Sequence, residues 1–119
     1  MPADYRVLLR QALEADPNVA AALTRTLDPV RAYDRAHDAD LVHSLDVYFA
    51  QGENLSQAAV ALFLHRNSLY YRLAHIQALT GLTLDDEGAR VWLHLAILLE
   101  RARAHREEDG IDEGGNDAH

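Results

Sequence analysis

Apolar positions along this chain recur at helical spacing, and no stretch alternates as a strand would. Tyr5, Leu8, Leu9, Ala12 and Leu13 predict one face of a first helix, capped by Asp4 and ended by Pro17. Asn18 reads as the cap of a second short helix through Leu27, and Asp28-Pro29 predicts a restart into another short piece carrying Val30 and Tyr33. Asp38 or Asp40 then caps a longer helix in which Leu41, Leu45, Val47, Tyr48 and Phe49 form a broad apolar side, and Gly52 ends it. Thr80-Gly81 and the Asp85-Asp86 pair bracket a loop, after which a final helix runs from about Glu87 to Arg103. The sum is an all-α, compact five- or six-helix domain.

Between Gln57 and Ile76 the apolar spacing changes phase. Ala58, Ala59 and Leu62 lie on one face of a short helix opened by Asn54 or Ser56, Leu64 falls in a turn, and Leu69, Leu73 and Ile76 at i, i+4 and i+7 stripe a second helix. Two short helices joined in this way are a helix-turn-helix. The polar face of the second helix points outward with His65, Arg66, Asn67, Ser68, Tyr70, Tyr71 and Arg72. Forked guanidinium donors suit guanine or phosphate, an amide suits adenine, and hydroxyls suit backbone oxygens. Gln57, at the start of the first helix, is the candidate for a contact from the helix lying across the groove. Helical geometry places Tyr71 most nearly opposite Leu69, so of the two tyrosines it is the better placed for DNA, the other ring packing on the domain. Arg72 sits toward the buried side, where it either meets phosphate or locks the helix internally.

The run HRNSLYYRL, preceded by LSQAAVAL and followed by an LTG step, resembles the C-terminal DNA-binding domain of PucR/CdaR-type bacterial transcriptional regulators. The upstream LDPVRAYDRAHDADLVHSLDVYF and the downstream Leu82 to Arg103 are similar to that family's entry segment and closing helix, so the likeness covers about Leu27 to Arg103. It implies an output domain that binds duplex DNA through the helix beginning near Arg66. It also implies a sensory domain of a longer regulator that is not part of this chain. Phe63 departs from the general helix-turn-helix pattern, standing where glycine often permits a positive φ.

Composition narrows the chemistry. At 119 residues and 49% hydrophobic, one modest core is expected, divided into an N-terminal helical segment (1–37) packing on the module, the DNA-binding domain with its closing helix (38–106), and a disordered acidic tail (107–119). There is no cysteine and no lysine, which excludes disulfides, thiolate ligands and Schiff-base chemistry. No two of the seven histidines stand at i, i+3 or i+4, so no metal site is expected, and His94 reads as a core histidine. Asp85, Asp86 and Glu87 precede an apolar helix and read as its cap. Without a nucleophile elbow or glycine-rich phosphate loop the chain is not expected to be an enzyme, and no cofactor is implied. The longest apolar run, Val91 to Leu99, is too short to span a bilayer, and no signal-peptide core follows Met1; a cytoplasmic, membrane-free protein is expected.

A net charge of −8 opposes approach to a polyanion, but its distribution does not. Six acids lie in the tail from Glu107 onward, and without them the chain stands at −2. Asn54 to Leu84 contains no Asp or Glu at all while holding Arg66 and Arg72. So few arginines predict weak binding by one copy, hence a homodimer on two DNA half-sites. The apolar circumference of the last helix, from Val91 to Leu99, belongs either to a central buried helix or to a face shared with a second subunit. The rival reading is a helical protein-interaction or oligomerisation module that no longer binds DNA.

Overall fold

A computed structural model describes the backbone of residues 2–117 and the side chains of residues 7–104. Six helices follow one another without a strand among the described residues: α1 (Pro2–Ala15), α2 (Pro17–His37), α3 (Leu41–Ala50), α4 (Leu55–Ala61), α5 (Arg66–Thr80) and α6 (Glu87–Asp117). The expected all-α architecture is observed. The Asp4 side chain, expected to cap α1, lies outside the described residues.

The core forms where α2, α3, α5 and α6 meet. Leu23, Leu27 and Val30 of α2, Leu45 of α3, Leu69 and Ile76 of α5, and Leu93 and Ile97 of α6 are all fully buried. Each set recurs at helical spacing, so one stripe per helix supplies the burial. The apolar circumference of α6 is accounted for within the chain: α2, α3 and α1 all pack against it, and Val91 stays exposed. Trp92 lies half-buried and donates its indole N–H to Thr26 Oγ1 at 2.7 Å. His94 is half-buried, at the edge of the core and not inside it, and stacks on Phe49 at 4.4 Å between ring centroids.

Several helix boundaries differ from those the sequence predicts. Asp16, not Asn18, caps α2, accepting the backbone N–H groups of Asn18 at 2.9 Å and Val19 at 3.3 Å; Pro17 takes the first helical position, where a missing N–H costs nothing. Asp28-Pro29 does not restart the chain, because α2 runs unbroken through Pro29. Proline removes one intrahelical bond, a loss offset by the continuous buried face of Leu23, Leu27 and Val30. Arg31 spans the same region, pairing with Asp28 and with Glu100 at 2.6 Å and donating to the Thr24 carbonyl at 2.6 Å. For α3, Asp40 takes the cap position without a side-chain bond. Asp34 of α2 supplies the cap instead, accepting from Leu41 N–H at 2.8 Å and Val42 N–H at 3.0 Å. That carboxylate fixes α3 against α2 while stabilising the positive end of α3.

The helix α6 continues past Arg103, and its backbone is helical through the acidic segment to Asp117. Arg101 and Arg103 are therefore internal to the helix, and their role is tertiary: Arg101 pairs with Asp46 of α3, and Arg103 donates to Thr24 at 3.2 Å. The side chains of the acidic tail lie outside the described residues. On α3, burial pushes the Tyr48 phenol above its usual range, and the Glu53 carboxylate adds to the shift while its ion-pair partner Arg90 opposes it.

Candidate nucleic-acid interface

Asn54 opens α4, its side chain accepting the Gln57 backbone N–H at 2.9 Å. Ala58 and Ala59 are buried, and their small size lets α4 lie close against α5. The turn after α4 closes on backbone bonds: Leu62 N–H reaches Ala58 O at 3.0 Å, Phe63 N–H reaches Val60 O at 3.1 Å, and Leu64 N–H reaches Ala59 O at 2.9 Å. This geometry drives Phe63 to a φ of 58°, the left-handed region that glycine occupies freely. The helix-turn-helix geometry is thus kept without the glycine, at the expense of local strain.

The strain is open to measurement. A left-handed non-glycine residue costs about 1–2 kcal/mol, and glycine in the unfolded chain returns about 0.5–1 kcal/mol of that as entropy. Phe63 is 97% exposed, so its ring contributes no packing to be lost. Phe63→Gly is therefore expected to stabilise the domain by about 0.5–1 kcal/mol, read as a raised urea midpoint. A lowered midpoint would show that the ring is held by contacts in solution.

His65 is the N-cap of α5, its Nδ1 accepting the Asn67 backbone N–H at 3.4 Å. An accepting Nδ1 leaves Nε2 as the ring's donor. Leu69, Leu73 and Ile76 then seat α5 on the core with exposures of 5% or less. With that stripe inward, the opposite face is presented whole: His65, Arg66, Asn67, Ser68, Tyr70 and Tyr71 are all exposed, as is Gln57 on the first turn of α4. Arg66 makes no hydrogen bond or ion pair among the described residues. Gly81, at φ 73°, caps the far end of α5 in the left-handed conformation. Beyond it Gln77 ties the following loop by accepting from Leu84 N–H at 2.7 Å. Asp86 then caps α6 through Ala89 N–H at 2.8 Å, one of the two acids the sequence offered.

Three of the expected site residues, Tyr70, Tyr71 and Arg72, meet other side chains. Neither tyrosine packs its ring on the domain: Tyr70 is 58% and Tyr71 70% exposed, and the two rings meet edge-on at 5.6 Å. Their mutual contact replaces the contact with the core, because Leu69 and Leu73 already fill the inner face of α5. Arg72 is half-buried and donates from Nη1 to Ser44 Oγ at 3.0 Å. Ser44, fully buried on α3, was missed in the sequence; its signal is a polar residue on the inward face beside Leu41 and Leu45.

A short helix laid across a longer one, whose outer face carries an amide, hydroxyls and an unpaired guanidinium, defines a DNA-binding helix-turn-helix domain. Residues 41–99 match the PucR C-terminal helix-turn-helix domain, and this part of the chain belongs to that domain family. Over 64 residues it is 36% identical to the purine catabolism regulatory protein of Bacillus subtilis, covering 54% of this chain and 12% of that protein. Over 99 residues it is 30% identical to the proline-responsive transcriptional activator PutR of the same organism, covering 83% of this chain and 24% of that protein. The carbohydrate diacid regulator of Escherichia coli is 38% identical over 63 residues, covering 53% and 16% respectively. The chain thus spans less than a quarter of the length of each of these relatives. No solved structure gives a significant match. The kinship supports a DNA-binding output domain over the rival reading as an interaction module that has lost DNA. No helix among the described residues is long and apolar enough to cross a membrane.

Proposed function

We propose that this domain reads duplex DNA by placing α5 in the major groove, as the output element of a bacterial transcriptional regulator. Arg66 and Asn67 face base edges; His65, Ser68, Tyr70 and Tyr71 face the sugar–phosphate backbone; Gln57 of α4 fixes orientation from across the groove. The observation that carries this reading is the acid-free stretch of chain from Asn54 to Leu84, on which Arg66, Asn67 and Ser68 stand exposed on the outer face of α5. Residues 1–37 serve as a packing segment, 38–106 as the DNA-binding unit and 107–119 as an acidic tail. A sensory domain in a longer cytoplasmic regulator would control the unit. Like the relatives named as regulators, the domain would act on transcription.

An electrophoretic shift of fragmented genomic DNA across a salt series tests the reading. Retardation at low salt that fades as salt rises is expected, because each neutralised phosphate releases counterion. No retardation at the lowest salt would overturn it. Because one copy offers few arginines, binding is expected as a pair on half-sites about one helical turn apart. Sedimentation with a duplex carrying two such sites checks this, and one protein per duplex at saturation would contradict it.

A further inference from the structure

Ser68, Arg72 and His75 stand at i, i+4 and i+7, so they form one flank of α5 beside the outward face of Asn67 and Tyr71. Along this flank runs a cleft of about 360 Å³, lined by Ser68, Tyr71, Arg72 and His75 on one side and by Asp38 and Asp40 of the α2–α3 turn on the other. Arg72 enters it anchored. Ser44 is 0% exposed; its hydroxyl proton is engaged by the Asp40 carbonyl at 2.8 Å, which leaves the oxygen's lone pairs to accept from Arg72 Nη1 at 3.0 Å.

A guanidinium carries five N–H donors. Among the described residues Arg72 uses one of them, on Ser44, and pairs with no carboxylate, whereas Arg31, Arg90 and Arg101 are each matched to an acid. A half-buried arginine kept only as a brace would be expected to spend its charge on such a partner, as Arg10, Arg31, Arg90 and Arg101 do, whereas Arg103, which meets Thr24 without an acid, is exposed. A helix lying in the major groove has a sugar–phosphate strand along each flank, and phosphate is the oxyanion that a fixed guanidinium fork recognises.

Resting on the reading of α5 as the groove helix, we propose that this cleft seats one phosphate of the DNA backbone, with Arg72 as its cation and the Ser68 and Tyr71 hydroxyls as further donors. Ser44 is the positioning residue that holds Arg72 in place. Asp38 and Asp40 stand across the cleft and weaken the seat, as fits one contact shared among many and not a tight pocket for a free anion. The seat sets the register of α5 without reading sequence, a role separate from that of Arg66 and Asn67.

Fluorescence anisotropy of the full chain with a mixed-sequence duplex of about 30 base pairs, repeated over a salt series, tests this with Arg72→Gln, Ser44→Ala and the double variant. Glutamine keeps the aliphatic stem and an amide donor while removing the charge and the guanidinium fork that reaches Ser44. Arg72→Gln is expected to lower the slope of log K against log salt by about 1, the loss of one phosphate contact. Ser44→Ala is expected to weaken binding roughly threefold to tenfold at fixed salt, the span of a single hydrogen bond, and to add nothing in the Arg72→Gln background. An unchanged slope in Arg72→Gln would show an internal brace and overturn the phosphate seat while leaving groove binding intact, and equal weakening by Ser44→Ala in both backgrounds would overturn Ser44 as the residue that positions Arg72. Failure of the unaltered chain to bind the duplex at any salt overturns both.

Discussion

Arg66→Ala and Asn67→Ala are each expected to weaken binding to a duplex selected from random sequence by about 1–3 kcal/mol. Both residues lie on the first turn of α5, both are exposed, and neither side chain makes a hydrogen bond or ion pair among the described residues. Removing them therefore subtracts donors from the groove and nothing from the core, so helicity and melting temperature should not move. The two losses should also differ in kind from that of a phosphate contact. An arginine forked on a guanine edge, or an amide on adenine, discriminates at its own base pair, so each variant should relax sequence preference at one position. Affinity for the selected duplex that is unchanged in both variants would remove α5 from the groove.

Much of this surface was legible in the sequence because it depends on local rules. The i, i+4, i+7 stripe of Leu69, Leu73 and Ile76 fixes which side of α5 is buried, and once it is buried the exposure of Asn67, Ser68 and Tyr71 follows. The caps at Asn54, Gly81 and Asp86 were likewise readable from residue type beside an apolar run. What escaped the sequence is tertiary. The cap of α3 comes from Asp34, six residues before its N-cap position, and only the packing of α2 on α3 brings that carboxylate to Leu41 and Val42. Pro29 looked like a break because proline costs a hydrogen bond locally, yet a buried face shared along α2 outweighs that cost. The partner of Arg72 could not be read either, since Ser44 lies 28 residues away and is joined to it only by the fold. Tyr70 and Tyr71 escaped for a related reason: periodicity separates inside from outside but does not say that two exposed rings will rest on each other.

Leu69→Ala is expected to have the largest effect on the fold, a loss of about 2–5 kcal/mol in the free energy of unfolding. Leu69 is 0% exposed, and it sits where α5 meets the core shared by α2 and α3. Truncation removes its transfer energy and leaves a cavity that close-packed neighbours on separate helices can only partly fill. Against a total stability of about 5–15 kcal/mol for a domain of ordinary size, the unfolded fraction becomes appreciable on mild warming. The neighbouring Tyr70→Ala provides the internal contrast: a residue one position along the same helix, 58% exposed, should shift the urea midpoint little while still touching the DNA face. Because α5 depends on that stripe for its orientation, Leu69→Ala should also weaken DNA binding, and the loss should shrink when the two proteins are compared at temperatures where both are fully folded. A destabilisation below about 1 kcal/mol would mean that the site collapses around the missing side chain and that α5 is not seated by it.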